Sequence, residues 1–93
     1  MKPLNPKEIK KELSALKDWE FHDDKIQKKF VLKDFAEAFA FLGKVALIAE
    51  KQNHHPEIFN VYNRVELKFN THDAGNKVTE KDIKIAKTIE ELF

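Results

Sequence analysis

The stretch from Asp34 to Gln52 limits the possible folds of this chain more than any other. Asp34 with Glu37 three residues on has the form of a helix N-cap, and Pro56 stops the helix because the residue before a proline is pushed out of helical geometry. Phe35, Ala38, Phe39, Leu42, Val45, Ala46 and Ala49 recur at helical spacing and are expected to cover a sheet. Phe41 and Ile48 sit seven apart on a different flank, beside Ala40, and Glu37, Lys44 and Lys51 leave only a narrow polar stripe. That apolar arc is wider than one packed face requires. Either the helix is central in a small core, or its second flank meets another subunit. The oligomer is favoured, because a chain of 93 residues has little else to cover that flank.

The segments on either side read as hairpins. Trp19-Glu20-Phe21-His22 alternates as a half-buried strand, Asp23-Asp24 makes the turn, and Lys25 to Leu32 returns with Ile26, Phe30 and Leu32 on one side. Beyond Pro56, Phe59 to Tyr62 is a short strand, with a turn near Asn63. Arg64 to Thr71 then alternates most cleanly, with Val65, Leu67 and Phe69 inward and Glu66, Lys68 and Asn70 outward. A helix opens the chain: Asn5 caps it, Pro6 suits its first position, Glu8 completes a capping box, Leu4 and Ile9 are spaced as a staple, and Ile9, Leu13 and Leu16 carry it to about Leu16. A last helix follows Thr79, with Asp82 three residues on, carrying Ile83, Ala86, Ile89, Leu92 and Phe93. The order α-β-β-α-β-β-α predicts an α+β fold, a four-stranded antiparallel sheet with three helices on one face, in a single domain spanning 1–93.

Composition removes several functions. A formal charge of +1 with both signs interspersed gives no basic footprint for nucleic acid. No apolar run approaches the roughly 18 residues of a membrane span, and the start at Met1-Lys2-Pro3-Leu4 does not have the form of a secretory signal, so a cytoplasmic location is expected. Without cysteine there is no disulfide, thiolate metal site or thiol nucleophile.

Three of the four histidines fall in two short segments where regular structure should end: Glu50-Lys51-Gln52-Asn53-His54-His55-Pro56 and Thr71-His72-Asp73-Ala74-Gly75. Adjacent His54 and His55 point apart and do not form the i, i+4 pair of a helical zinc site, so no metal is expected. Proton transfer suits them better, since imidazole titrates near neutrality. Glu50, one turn before His54, is placed to accept a hydrogen bond from it. His72 continues the outward parity of the preceding strand and should emerge opposite the core. Taken alone, these residues remain compatible with an acid–base pocket or with ordinary surface loops. His22 reads as a surface residue.

Residues 50–75 closely resemble the pterin-4a-carbinolamine dehydratase family, through Glu50-Lys51, His54-His55-Pro56, Asn60-Val61-Tyr62-Asn63-Arg64-Val65 and Thr71-His72-Asp73-Ala74-Gly75. The likeness extends weakly to Trp19, Lys33-Asp34-Phe35 and the last helix with Asp82. It implies dehydration of 4a-hydroxytetrahydropterins to quinonoid dihydropterins without metal or other cofactor, in support of an aromatic amino acid hydroxylase. The implied catalytic residues are His54, His55 and His72, with His54 and His72 moving protons and His55 orienting the substrate. The pterin would be held by Glu50, His54, His55 and Pro56 and along Thr71, His72, Asp73 and Ala74. The resemblance also implies a homodimer or homotetramer. The alternative is a protein-binding or dimerisation cofactor working through the surface of helix 34–52, around Phe41 and Ile48; a pterin-binding protein of another pathway is a third. Two departures stand out: Asn76-Lys77-Val78 replaces a shorter Gly-Leu-type link, and Ile58 stands where an aromatic is frequent.

Overall fold

Each helix begins where a side chain can satisfy its free N–H groups. In the computed structural model, which describes residues 1–93, Asn5 caps α1 (Pro6–Leu13) in a full capping box with Glu8. Asp34 caps α2 (Phe35–Gln52) by accepting from the Glu37 N–H at 2.8 Å. Thr79 and Asp82 form the capping box of α3 (Glu80–Glu90). Between the helices lie β1 (Glu20–His22), β2 (Lys25–Val31), β3 (Glu57–Val61) and β4 (Arg64–Phe69). They make one antiparallel sheet in the order β1-β2-β4-β3. The expected α+β architecture and element order are therefore present.

The β1–β2 hairpin turns on Asp23 and Asp24, both at positive φ (51° and 59°), a conformation aspartate tolerates better than most residues. Strand β4 lies second from the edge, and Val65, Leu67 and Phe69 are all buried, as their alternation predicts. Lys28 shares the inward parity of Ile26 and Phe30, yet its ammonium reaches Glu90 of α3 at 2.7 Å and so is paired beneath the helix layer. Trp19 and Phe30 meet edge to face at 6.2 Å, and Phe30 packs on Phe41 of α2 at 4.8 Å.

Several details depart from the sequence reading. Strand β3 runs over Glu57–Val61 with Tyr62 already in the turn, and α3 ends at Glu90, short of Leu92 and Phe93. Four further differences bear on the site and the core. Helix α1 ends at Leu13 and the chain turns before Leu16, which is nevertheless buried. Strand β1 starts at Glu20, leaving Trp19 as a core plug ahead of it. Strand β4 stops at Phe69, so strand parity does not set the direction of His72, which lies in a short 3-10 turn, His72–Ala74. Finally, the phase of α2 is different. Ala38, Phe41, Val45 and Ala49 form the buried stripe, with Leu42 and Ile48 packed beside it, while Phe35, Phe39 and Leu47 stay open. Phe41 and Ile48 therefore belong to the core. Spacing alone cannot rotate a helix that is apolar most of the way round; contact with the sheet selects the stripe in which Phe41 meets Phe30.

Candidate active site

Helix α2 ends with Asn53 in the left-handed conformation (φ 50°), its N–H bonded back to Ala49 and Glu50, and the His54 N–H also returns to the Ala49 carbonyl at 3.0 Å. Such a cap reverses the chain sharply. It carries the His54 side chain away from Glu50 and into the protein, where only 7% of the residue stays exposed. The ring stacks on Phe69 at the end of β4, with centroids 5.9 Å apart.

His54 Nε2 meets Asp82 Oδ1 at 2.5 Å. Asp82 is fully buried, and its other oxygen accepts from the Thr79 N–H at 2.8 Å and from the Thr71 hydroxyl at 2.9 Å. Thr79 Oγ1 completes the chain to Thr71 Oγ1 at 2.6 Å. One carboxylate thus ties the tip of α2, the residue just beyond β4 and the first turn of α3. Burying an ionised carboxylate is costly unless it is paired and hydrogen-bonded, and these donors supply both. The Nε2–H of His54 is committed to Asp82, so this ring can act on a ligand only through Nδ1.

Beyond β4, the Thr71 N–H bonds the Lys77 carbonyl at 2.8 Å and closes the loop into a tight return. Gly75 (φ 76°) and Asn76 (φ 61°) both take the left-handed conformation that the return requires. This loop presents His72, exposed, with Nδ1 at 3.0 Å from Asn76 Oδ1.

His54, His55 and His72 converge on one open, polar hollow of about 250 Å³, together with Thr71, Asp73 and Lys81. Other candidates lie elsewhere. Glu50 sits beside His55 (3.5 Å), with both side chains largely exposed, so the expected bond from His54 to Glu50 is not formed. Pro56 and Ala74 are half-buried and do not line the hollow. His22, on β1, faces Asp23 near the surface. No three His, Asp or Glu side chains gather as a metal-ligand cluster. Sequence reasoning saw Asp82 and Thr79 only as a helix cap and did not single out Lys81 or Asn53. An acid at the N3 position that is also close to a distant histidine leaves no trace in local spacing.

This is a small α+β sheet domain whose paired histidines, at a helix tip, face a third histidine in the turn beyond a strand. The family model for pterin 4 alpha carbinolamine dehydratase matches residues 2–92. The chain is 46% identical over 93 residues to a Sulfurisphaera tokodaii protein named "Putative pterin-4-alpha-carbinolamine dehydratase", covering 100% of this chain and 99% of that one. Among solved structures, a transcriptional coactivator/pterin dehydratase from Brucella melitensis superposes with a TM-score of 0.90 at 44% identity, over 96% of each chain. A pterin dehydratase-like RuBisCO assembly factor of the alpha-carboxysome shares the fold at a TM-score of 0.65 and 20% identity, over 80% of this chain and 84% of that one. The chain belongs to the pterin-4a-carbinolamine dehydratase family.

Proposed function

We propose that this protein is a hydro-lyase that dehydrates a 4a-hydroxytetrahydropterin to the quinonoid dihydropterin in tetrahydropterin recycling. The observation that carries the reading is the pairing, across one hollow, of a buried histidine held by Asp82 with an open histidine on the His72 turn. In the reaction the N5–H electron pair becomes the C4a=N5 double bond, the C4a–O bond breaks, and the hydroxyl leaves as water with a proton from an acid. Two imidazoles in different settings suit the two proton transfers near neutral pH. His54 and His72 carry the protons, and His55, which also lines the hollow, orients the ring. No cofactor or metal takes part in this reading. The working location is the cytoplasm, and the pathway partner is an aromatic amino acid hydroxylase.

Stopped-flow measurement of 4a-hydroxytetrahydropterin dehydration tests the reading. Wild type should exceed the uncatalysed rate by orders of magnitude, and a His54→Ala/His72→Ala double variant should fall back to it. Equal rates for both, at the uncatalysed value, overturn the proposal.

The chain is further read as a homodimer or homotetramer. Phe35, Phe39 and Leu47 leave one flank of α2 apolar and open, and Ile58, Phe59 and Val61 do the same on edge strand β3. The same flank supports the second reading, a protein-binding role, since the Brucella melitensis relative is named a transcriptional coactivator as well as a pterin dehydratase. A clean monomer by light scattering at micromolar concentration argues against the assembly.

A further inference from the structure

We propose that Lys81 is a specificity-determining residue that selects pterins whose C6 substituent carries an oxyanion, either a phosphate monoester or a carboxylate. The inference rests on the dehydratase reading of the hollow and names the class of substrate which that reading leaves open.

Four lysines are half-buried: Lys25, Lys28, Lys68 and Lys81. Three of them have an acidic partner within the chain. The Lys25 ammonium meets Glu57 at 2.6 Å, that of Lys28 meets Glu90 at 2.7 Å, and that of Lys68 meets Glu66 at 3.6 Å. The Lys81 ammonium has neither an ion pair nor a hydrogen bond, while its backbone N–H is held by Thr79 Oγ1 at 3.2 Å. Taking an ammonium partly out of water is costly without a counter-charge. Its place in α3 adds to that cost. Thr79 is the N-cap and Asp82 the N3 residue, so Lys81 stands at N2, where the helix dipole favours acids over cations. Nothing inside the chain compensates this lysine, and it is the one lysine or arginine lining the hollow.

The position suits the C6 substituent better than the ring. C4a and N5 must lie by the proton-moving histidines, and C6 is bonded to N5, so the substituent leaves the ring beside the reacting atoms. Lys81 directly precedes Asp82, which holds His54, so the chain path brings the lysine to the hollow next to that imidazole. The amino and N3–H edge of a pterin donates hydrogen bonds and calls for an acceptor, which an ammonium is not. Asp73 is the one exposed carboxylate lining the hollow, and it makes no ion pair with Lys81. The hollow thus offers an acceptor for the ring edge and, separately, a free cation for an anion that the ligand must bring.

The test uses the full chain and two substrates: a 4a-hydroxytetrahydropterin with a hydroxymethyl group at C6, and the phosphate monoester of that group. Wild type should take the ester with a KM about ten- to a hundredfold below that of the alcohol, the range of one charge-assisted hydrogen bond, at similar kcat. In Lys81→Met, which keeps the apolar stem, the ratio of the two KM values should fall to about one. Lys81→Arg should restore most of it. The wild-type ratio should also shrink as salt is raised, a readout that needs no variant. A C6 carboxymethyl substrate tells the two anions apart: whichever is preferred over the alcohol names the class, and preference for neither overturns the proposal. Equal weakening of ester and alcohol in Lys81→Met also overturns it, because the ammonium then serves the ring carbonyl. If wild type dehydrates none of these substrates, the functional reading fails by itself. Calorimetric binding of the oxidised, unreactive alcohol and ester to wild type and Lys81→Met then decides the role of Lys81: a preference for the ester that is lost in the variant upholds it, and equal affinities in wild type overturn it.

Discussion

The two sides of the hollow are built on opposite principles. His54 is buried, stacked on Phe69 and locked to a carboxylate that has no exposure at all. His72 is exposed on the five-residue return between Thr71 and Lys77, held mainly by backbone bonds. The first is part of the protein's framework, and the second is mounted on it. Stability and chemistry should therefore separate across the hollow.

The sharpest break in that contrast should come from Asp82→Ala. It strands the His54 Nε2 and the Thr79 N–H and leaves the Thr71 hydroxyl with Thr79 Oγ1 alone, and should cost about 3–5 kcal/mol in urea unfolding as well as activity. If Asp82→Ala unfolds at the wild-type midpoint, the buried side is not framework. Thr71→Val removes the charge-assisted bond to Asp82 and the bond to Thr79 Oγ1 while keeping the shape, and should cost about 1.5–3 kcal/mol. A double-mutant cycle between His54 and Asp82 should give strong non-additivity, whereas His72 and Asp82 should be close to additive in stability. At the small end, His72→Ala should abolish turnover yet leave the unfolding midpoint where it was, which circular dichroism in urea would check. Equal destabilisation by His54→Ala and His72→Ala would erase the distinction.

The frame of the molecule was legible because its signals are local. The caps at Asn5, Asp34 and Thr79, the Asp23-Asp24 turn and the alternation of Val65, Leu67 and Phe69 each lie within a few residues. What escaped was long-range. Glu50 lies one helical turn from His54, yet the left-handed Asn53 swings the ring to Asp82, 28 residues away. The rotation of α2 escaped for a similar reason: Phe39 and Phe41 look equivalent in spacing, and only the position of Phe30 on β2 distinguishes them. The two tips that carry the histidines could be marked in the sequence, but not the acid that joins them.

The shared duty of Asp82 has a consequence for how such a protein can diverge. Its carboxylate starts the last helix and holds the buried imidazole at once, so a change made to retune the reaction also loosens the scaffold. Adaptation to a new ligand has a cheaper path through the exposed side chains of Asn76 and Lys77 in the Gly75–Val78 connector, which can change without touching either duty. Directed evolution of this protein should therefore accumulate its tolerated changes on that short arc and leave the acid alone.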